Sequence, residues 1–342
     1  MAKNNNLHTA KKAKNDEFYT QLVDIENELK YYRPHFQGKV VYCNCDNCME
    51  SNFFKYFALS FERLGLKELI ATAYNENGKG IVYRYKGDKN GNNYPDFDEI
   101  VPTELNGNGD FRSAECIEIL KECDIVVTNP PFSLFREYVA QLIEYGKQFL
   151  IIGNCNAITY KEIFPYIKEN KLWLGVSSFN NGMYFQVPND YEYSQTYKFD
   201  KERNGKKVMR VSSIAWFTNL DHHRRNLELD LYMKYSNEYY PKYYNFDAIE
   251  VSKVCEIPMD YKGVIGVPIT FLDKYNPNQF EIIGLGIANL GLSIGVQPYT
   301  EEHRKYRKEI QKRGVVNGDL YLVENGLVKV PYARILIKHK NN

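Results

Sequence analysis

No run of apolar residues in this 342-residue chain reaches the length of a membrane span, which takes about 20 residues as a helix. Nor does either charge dominate. Lys and Arg number 44 against 43 Asp and Glu, a formal net charge of +1, so any grip on a polyanion must come from local clusters. A metal-ligand set is also missing. The closest spacing is Cys43-x-Cys45-x-x-Cys48, but strand alternation puts Cys43 and Cys45 on one face as small apolar fillers, and no further Cys or His lies nearby. No metal is therefore expected. Seven cysteines, an odd number, and the lack of a signal-like segment predict a reducing compartment, the cytoplasm. Glycine is absent where a nucleotide-binding turn would place it. The loop after the first strand, Asp46-Asn47-Cys48-Met49-Glu50-Ser51-Asn52, must approach a ligand with Asn, Asp and Ser instead.

What is present suits a packed globular protein, since 44% of the residues are hydrophobic. The first fifteen residues are polar and basic and read as a mobile arm. Strands over 39–45, 68–74, 125–127, 149–153 and 172–176 alternate with helices over 24–32, 53–64, 114–122, 134–145 and 160–169. That alternation predicts an α/β fold with a doubly wound, mostly parallel sheet. The Gly-, Asn- and Asp-rich stretch 75–108 reads as an excursion with one hairpin. Past residue 220 the pattern turns Tyr-rich and charge-mixed, with short strands at 263–272, 280–285 and 320–323, and predicts a second module over 221–342.

The segment with the most chemistry is DIVVTNPPFSLF, Asp124 to Phe135. An apolar strand runs directly into Asn129-Pro130-Pro131-Phe132, and the carboxyl end of a central parallel strand is where ligands sit in open α/β sheets. An exocyclic amine on a planar base is a poor nucleophile because its lone pair is shared with the ring. The side-chain oxygen of Asn129 and the carbonyl of Pro130 can each accept one N–H, turning the nitrogen toward tetrahedral geometry and its lone pair toward a methyl donor. Pro130 and Pro131 fix the backbone and bring no competing amide, while Phe132 offers a flat face to the base. A base held there has left its duplex. The bland alternative is a simple Asn-Pro-Pro turn after a buried strand.

A donor site needs further residues. The strand Val40 to Asp46, with Cys43, Asn44, Cys45 and Asp46 at its end, is the candidate first donor segment. Glu76, just past the second strand, can accept two ribose hydroxyls, or is a solvated loop acid. Asp110 can accept an adenine amino group while Phe111 packs on the ring, or Asp110 is a helix N-cap. Phe18, Tyr19 and Thr20, in DEFYT, can close over the donor's amino-acid part, or pack in the core. Two basic clusters occupy the C-terminal half: His222-His223-Arg224-Arg225, and the stretch 301–313 with Arg304, Lys305, Arg307 and Lys308. Interleaved with Tyr299 and Tyr306, the second suits phosphate contact, though a solvated charged helix reads the same way.

The chain resembles the EcoRI-type adenine-specific DNA methyltransferases from about residue 16 to its end. The resemblance is carried by DEFYT at Asp16, KVVYCNCD at Lys39, SNFFKYF at Ser51, GDFRS at Gly109, DIVVTNPPFSLF at Asp124 and FLIIGN at Phe149. It continues through FTNLD at Phe217, YPKY at Tyr240, GVPITFL at Gly266 and YARILIK at Tyr332. It implies a Rossmann-like, S-adenosylmethionine-dependent enzyme that methylates the N6 of adenine in duplex DNA after flipping the base. Asn129, Pro130 and Phe132 then match the catalytic motif, Tyr19 and Thr20 the N-terminal donor segment, Asn44 to Asp46 the first donor loop, and Asp110 with Phe111 the donor-adenine site. The C-terminal region would read the target. The enzyme is expected to act as a monomer, and a cognate restriction endonuclease without a stable complex is the protein partner this reading leaves room for. Methylation of RNA adenine or of a glutamine amide, and an inactive DNA-binding regulator, stay open on the residues alone.

Overall fold

A computed structural model of the chain describes residues 19–44, 50–92, 94–178, 182–186, 201–203 and 205–340. Phe18, Cys45 and Asp46, candidate donor residues, lie outside the described residues. By its contacts the chain forms two compact units, Met1–Ala157 with Trp173–His222, and Ile158–Leu172 with His223–Asn342.

The first unit is built on eight strands: β1 (Val40–Asn44), β2 (Glu68–Ala73), β3 (Ile81–Tyr85), β4 (Val101–Glu104), β5 (Ile125–Thr128), β6 (Gln148–Asn154), β7 (Trp173–Leu174) and β8 (Ile214–Thr218). They lie in the order β4-β3-β2-β1-β5-β6-β8-β7. The central four, β2-β1-β5-β6, are parallel, and antiparallel strands extend both edges. This is the Rossmann-like arrangement expected, with one correction. The segment 172–176, read as a further alternating strand, contributes only the two-residue β7, which pairs antiparallel with β8. All residues of β1 and β5 are buried, as a strand covered on both faces requires. Because β1 crosses over to β2 on one side and β5 to β6 on the other, strand order reverses between β1 and β5. Their carboxyl ends frame the crevice where such sheets take ligands.

Helices α1 (Leu22–Leu29), α2 (Arg33–Phe36), α3 (Asn52–Leu59), α4 (Phe61–Leu64), α5 (Ala114–Glu122) and α6 (Phe135–Glu144) accompany the sheet. The single helix expected over 53–64 is two, α3 and α4, meeting at Ser60, whose φ of −109° departs from helical geometry. Ser51 and Ser113 cap α3 and α5 by accepting amide hydrogen bonds. The α5 boundaries coincide with those expected, because its cap and its buried Cys116, Ile119 and Leu120 are all local signals. The excursion after β2 is the β3–β4 hairpin, added antiparallel to β2. It passes so close to the following loop that a Cβ on Gly80 would lie 2.6 Å from the Gly109 nitrogen. One on Gly109, at φ +81°, would lie 2.6 Å from the Ala73 carbonyl oxygen, so only glycine fits at either place. A small antiparallel sheet pairs Tyr19–Thr20 with Met183–Gln186, which in turn pairs with Lys206–Val211.

The second unit holds β9 (Ala248–Glu250), β10 (Val264–Pro268), β11 (Phe280–Leu285), β12 (Leu322–Glu324), β13 (Leu327–Lys329) and β14 (Arg334–His339). Four of them form a sheet in the order β9-β10-β14-β11, and β12 pairs with β13. The helix expected over 160–169 shortens to Phe164–Lys168 and belongs to this unit. The basic stretch 301–313 is an α-helix over Glu301–Lys305 that widens into a π-turn over Tyr306–Ile310.

Candidate active site

Asn129 is the first residue past β5, and Asn44 is the last of β1, at the two lips of the switch-point crevice. The Thr128 hydroxyl donates to the Asn44 carbonyl at 2.5 Å, joining the two strand ends. Asn129 is half-buried, with its Oδ1 withdrawn from solvent. Pro130 is buried, and among the described residues no main-chain amide donates to its carbonyl. Pro131 takes φ −55° and ψ 122°, and the 3-10 turn Phe132–Leu134 then leads into α6, with Leu134 N donating to Pro131 O at 3.0 Å. Strand, prolines and turn thus set the Asn-Pro pair by local geometry. Phe132 is half-buried against the apolar cluster that contains Phe53 and Phe54.

The donor-side candidates have mixed fates. Asn44 is 2% exposed, and the Tyr138 hydroxyl donates to its Oδ1. Phe111, 4% exposed, packs edge-on against Tyr138 at 5.0 Å, and its carbonyl accepts from Gln141 Nε2 at 3.2 Å. Two α6 residues, Tyr138 and Gln141, therefore tie the first donor strand and the Gly109–Phe111 loop to the helix that follows the catalytic turn. Sequence reading missed both, although their spacing of three along one helix face was there to be read. Asp110 is not the helix cap, since Ser113 fills that role. Its carboxylate instead accepts from Arg112 at both oxygens, Nε on one at 2.9 Å and a terminal nitrogen on the other at 2.7 Å. The guanidinium holds the Asp110 carboxyl below its usual range. Any adenine amino group would have to share that carboxylate with Arg112. Glu76 stands exposed in the turn past the carboxyl end of β2. Thr20 is buried, its carbonyl accepting from Asn52 Nδ2 at 2.7 Å, and its Oγ1 is buried with no hydrogen-bond partner among the described residues. Tyr19 lies beside it in the same short strand. The Cys43 side chain sits in the hydrophobic core between strand and helices, which limits it to main-chain contact with a ligand.

The basic residues differ from their reading as two open patches. His222 is buried in the first unit, with Nε2 2.9 Å from the Leu174 carbonyl, whereas Arg224 and Arg225 lie in a 3-10 turn of the second. Arg225 donates to Asn170 Oδ1 at 2.9 Å and has one terminal nitrogen withdrawn from solvent, so it braces the segment 158–172. Arg304 donates to Asn317 Oδ1 at 2.7 Å and Arg307 to the Gly314 carbonyl at 2.8 Å, both bracing the loop after the π-turn. Lys305 and Lys308 are exposed. Among the described residues no group of three or more His, Cys, Asp or Glu could hold a metal ion, and no helix is long and apolar enough to cross a membrane. No disulfide joins the described cysteines. Burial pushes the Cys116 thiol up and that of Cys123 up to about 12, far from a reactive thiolate.

A parallel α/β sheet whose switch point carries an Asn-Pro-Pro-Phe turn beside a donor crevice defines a methyltransferase of the Rossmann-like class. The chain belongs to the EcoRI adenine-specific methyltransferase family, whose model matches residues 6–340. It is 49% identical to the type II methyltransferase M.EcoRI of Escherichia coli, over 99% of this chain and 98% of that one. It is also 42% identical to M.MpnI of Mycoplasma pneumoniae, over 98% of each chain. With M.MgeORF184P of Mycoplasma genitalium the identity is again 42%, over 81% of this chain and 85% of that relative. Both are likewise type II methyltransferases by name. The family read from the sequence motifs is the family the chain belongs to.

Proposed function

We propose that the chain methylates the N6 amino group of an adenine in duplex DNA, on a base turned out of the helix, with S-adenosylmethionine as donor. The observation that carries this is the pairing of two neutral acceptors, Asn129 Oδ1 and the Pro130 carbonyl, at the carboxyl end of β5 beside the end of β1. The donor, when bound, supplies a methyl group on a positively charged sulfur. The residues present fit it: the Thr20 Oγ1 is a buried polar atom without a partner among the described residues, and Glu76 follows the end of β2, the strand next to β1. Thr20 and the end of β1 would hold its amino-acid part, Glu76 its ribose and Phe111 its adenine. The chain's own work is to take both N–H groups of the target amine, free its lone pair and keep water off the crevice. Neutral acceptors suit this, because a carboxylate there would bring a charge into a partly buried site. The C-terminal unit would read the target, and the type II relatives fit a role in protecting DNA from a nuclease that need not bind the enzyme. We place it in the cytoplasm as a monomer. A tritiated donor offered to duplex DNA, structured RNA and protein tests the substrate; label entering RNA or protein but not DNA overturns it.

Two further outcomes are expected. In Tyr138→Phe the ring packing on Phe111 stays while the buried Asn44 Oδ1 loses its donor, a loss of about 1–3 kcal/mol. Equilibrium dialysis should show donor binding weakened about tenfold at 1.4 kcal/mol per decade, with kcat at saturating donor little changed. Unchanged donor affinity would remove this link. In Lys305→Ala/Lys308→Ala, the slope of log binding constant against log salt should become shallower by about 2, near 0.9 per phosphate contact. A slope equal to the parent's would take this helix out of the DNA interface.

A further inference from the structure

A groove of about 560 Å3 in the C-terminal unit is lined by Lys242, Tyr244, Asn245, Gln297, Thr300 and Tyr321. Beneath it runs a ladder of rings. Tyr299 stacks on Tyr321 with centroids 4.4 Å apart and planes 6° from parallel, and Tyr321 stacks on Tyr244 at 5.5 Å and 23°. The two inner rings are buried, but Tyr244 is 56% exposed. It is nonetheless fixed. His303 stands edge-on against it at 4.5 Å, with Nδ1 3.2 Å from the Tyr321 hydroxyl oxygen. The neighbouring Asn245 donates to the carbonyls of Gln297 and Asp319 and accepts from Tyr321 N. A large aromatic ring held in one pose yet left open to water has already lost the freedom that binding would cost it.

We propose that Tyr244 is a stacking platform for a nucleobase of the DNA, extending the ladder by one ring; this rests on the DNA reading above. Every base has a flat face, so stacking needs no particular sequence, and phosphates on either side need cations. Those are at hand on the helix that carries His303, where Lys305 and Lys308 are exposed. The groove's own rim does not supply them, because Lys242 pairs with Asp247 at 3.9 Å. Gln297 adds a base-edge acceptor: its Nε2 donates to the Gly295 carbonyl at 2.9 Å, which leaves Oε1 to accept from a base.

The test uses the full chain and a duplex bearing the adenine site mapped by sequencing DNA from an expressing host. By anisotropy, Tyr244→Ala should weaken binding about 5- to 150-fold, the range of one lost base–aromatic stack, whereas Tyr244→Phe and Tyr244→Trp should stay within about threefold of the parent. Irradiating the parent with duplexes carrying 5-iodouracil at successive positions should cross-link Tyr244 at one of them, a readout that needs no variant to fold. Binding by Tyr244→Ala equal to the parent's, or no cross-link to Tyr244 at any position, overturns the platform while methyl transfer to DNA still stands. If the parent transfers no label to DNA, the substrate reading fails first and the platform with it.

Discussion

Replacing Asn129 by alanine is expected to lower kcat by about 10²–10³-fold, the usual loss when one preorganised hydrogen-bonding group at a reacting atom is removed, while DNA binding stays within about threefold. The separation follows from what the residue touches. Its Oδ1 is withdrawn from solvent at the end of β5, where a base still stacked in its duplex does not reach it. On the proposed reading the duplex is gripped by other residues. Losing one N–H acceptor leaves the amine flatter and its lone pair shared with the ring, which raises the barrier without loosening the complex. Single-turnover transfer of tritium, with binding followed by anisotropy, separates the two. Equal losses in binding and turnover would make Asn129 a structural residue of the turn and remove the mechanism.

The largest expected loss of stability lies in the second unit. Glu250 and Arg334 form a buried ion pair, with Arg334 Nε 3.0 Å and a terminal nitrogen 2.7 Å from Glu250 Oε1, and the side chains are only 6% and 12% exposed. The Tyr243 hydroxyl donates to the other carboxylate oxygen, and burial pushes its phenol well up, so it remains a donor. The pair joins β9 to β14 across β10. Arg334→Ala strands a buried carboxylate and should cost about 3–5 kcal/mol. Glu250→Gln/Arg334→Met, which removes the charge together with its partner, should cost markedly less. Hydrogen exchange along β10 and β14 in urea reads the effect directly. Trp173 and Trp216, the two tryptophans of the chain, both lie in the first unit, so indole fluorescence reports the other half. An Arg334→Ala variant within about 1 kcal/mol of the parent would show that the carboxylate finds another partner or water.

The first unit was legible because its signals are local. Ser113 caps α5, β5 is continuously apolar, and Asn129 follows it in sequence as it does in space. Strand direction is not local, so a short apolar segment such as Trp173–Leu174 reads the same whether its neighbour runs with it or against it. The C-terminal unit yielded β11 in full and part of β12, yet β14 was recognised only as a motif, and the turn to β13 was missed. Its signal was present: Asn325 at φ 50° and Gly326 at φ 75° form the two-residue turn that Asn-Gly favours between hairpin strands. Arg225, Arg304 and Arg307 look alike in sequence to Lys305 and Lys308, but each arginine also donates within the unit, to Asn170, Asn317 and Gly314. Their planar forks suit internal bracing where lysine's flexible stem does not. The face of α6 that carries Tyr138 could be read from spacing, but its partner Asn44 could not, since the bond spans 94 positions of chain.

The glycine pair at 80 and 109 fastens the hairpin at its root, where it meets the end of β2, and leaves its far end free of that duty. That far end has its own anchor, the buried Glu99 carboxylate, which accepts from the amides of Lys89, Asn90 and Asp96. A change among those residues would be felt at Glu99, whereas a single methyl group added at position 80 or 109 would be felt at Asp110.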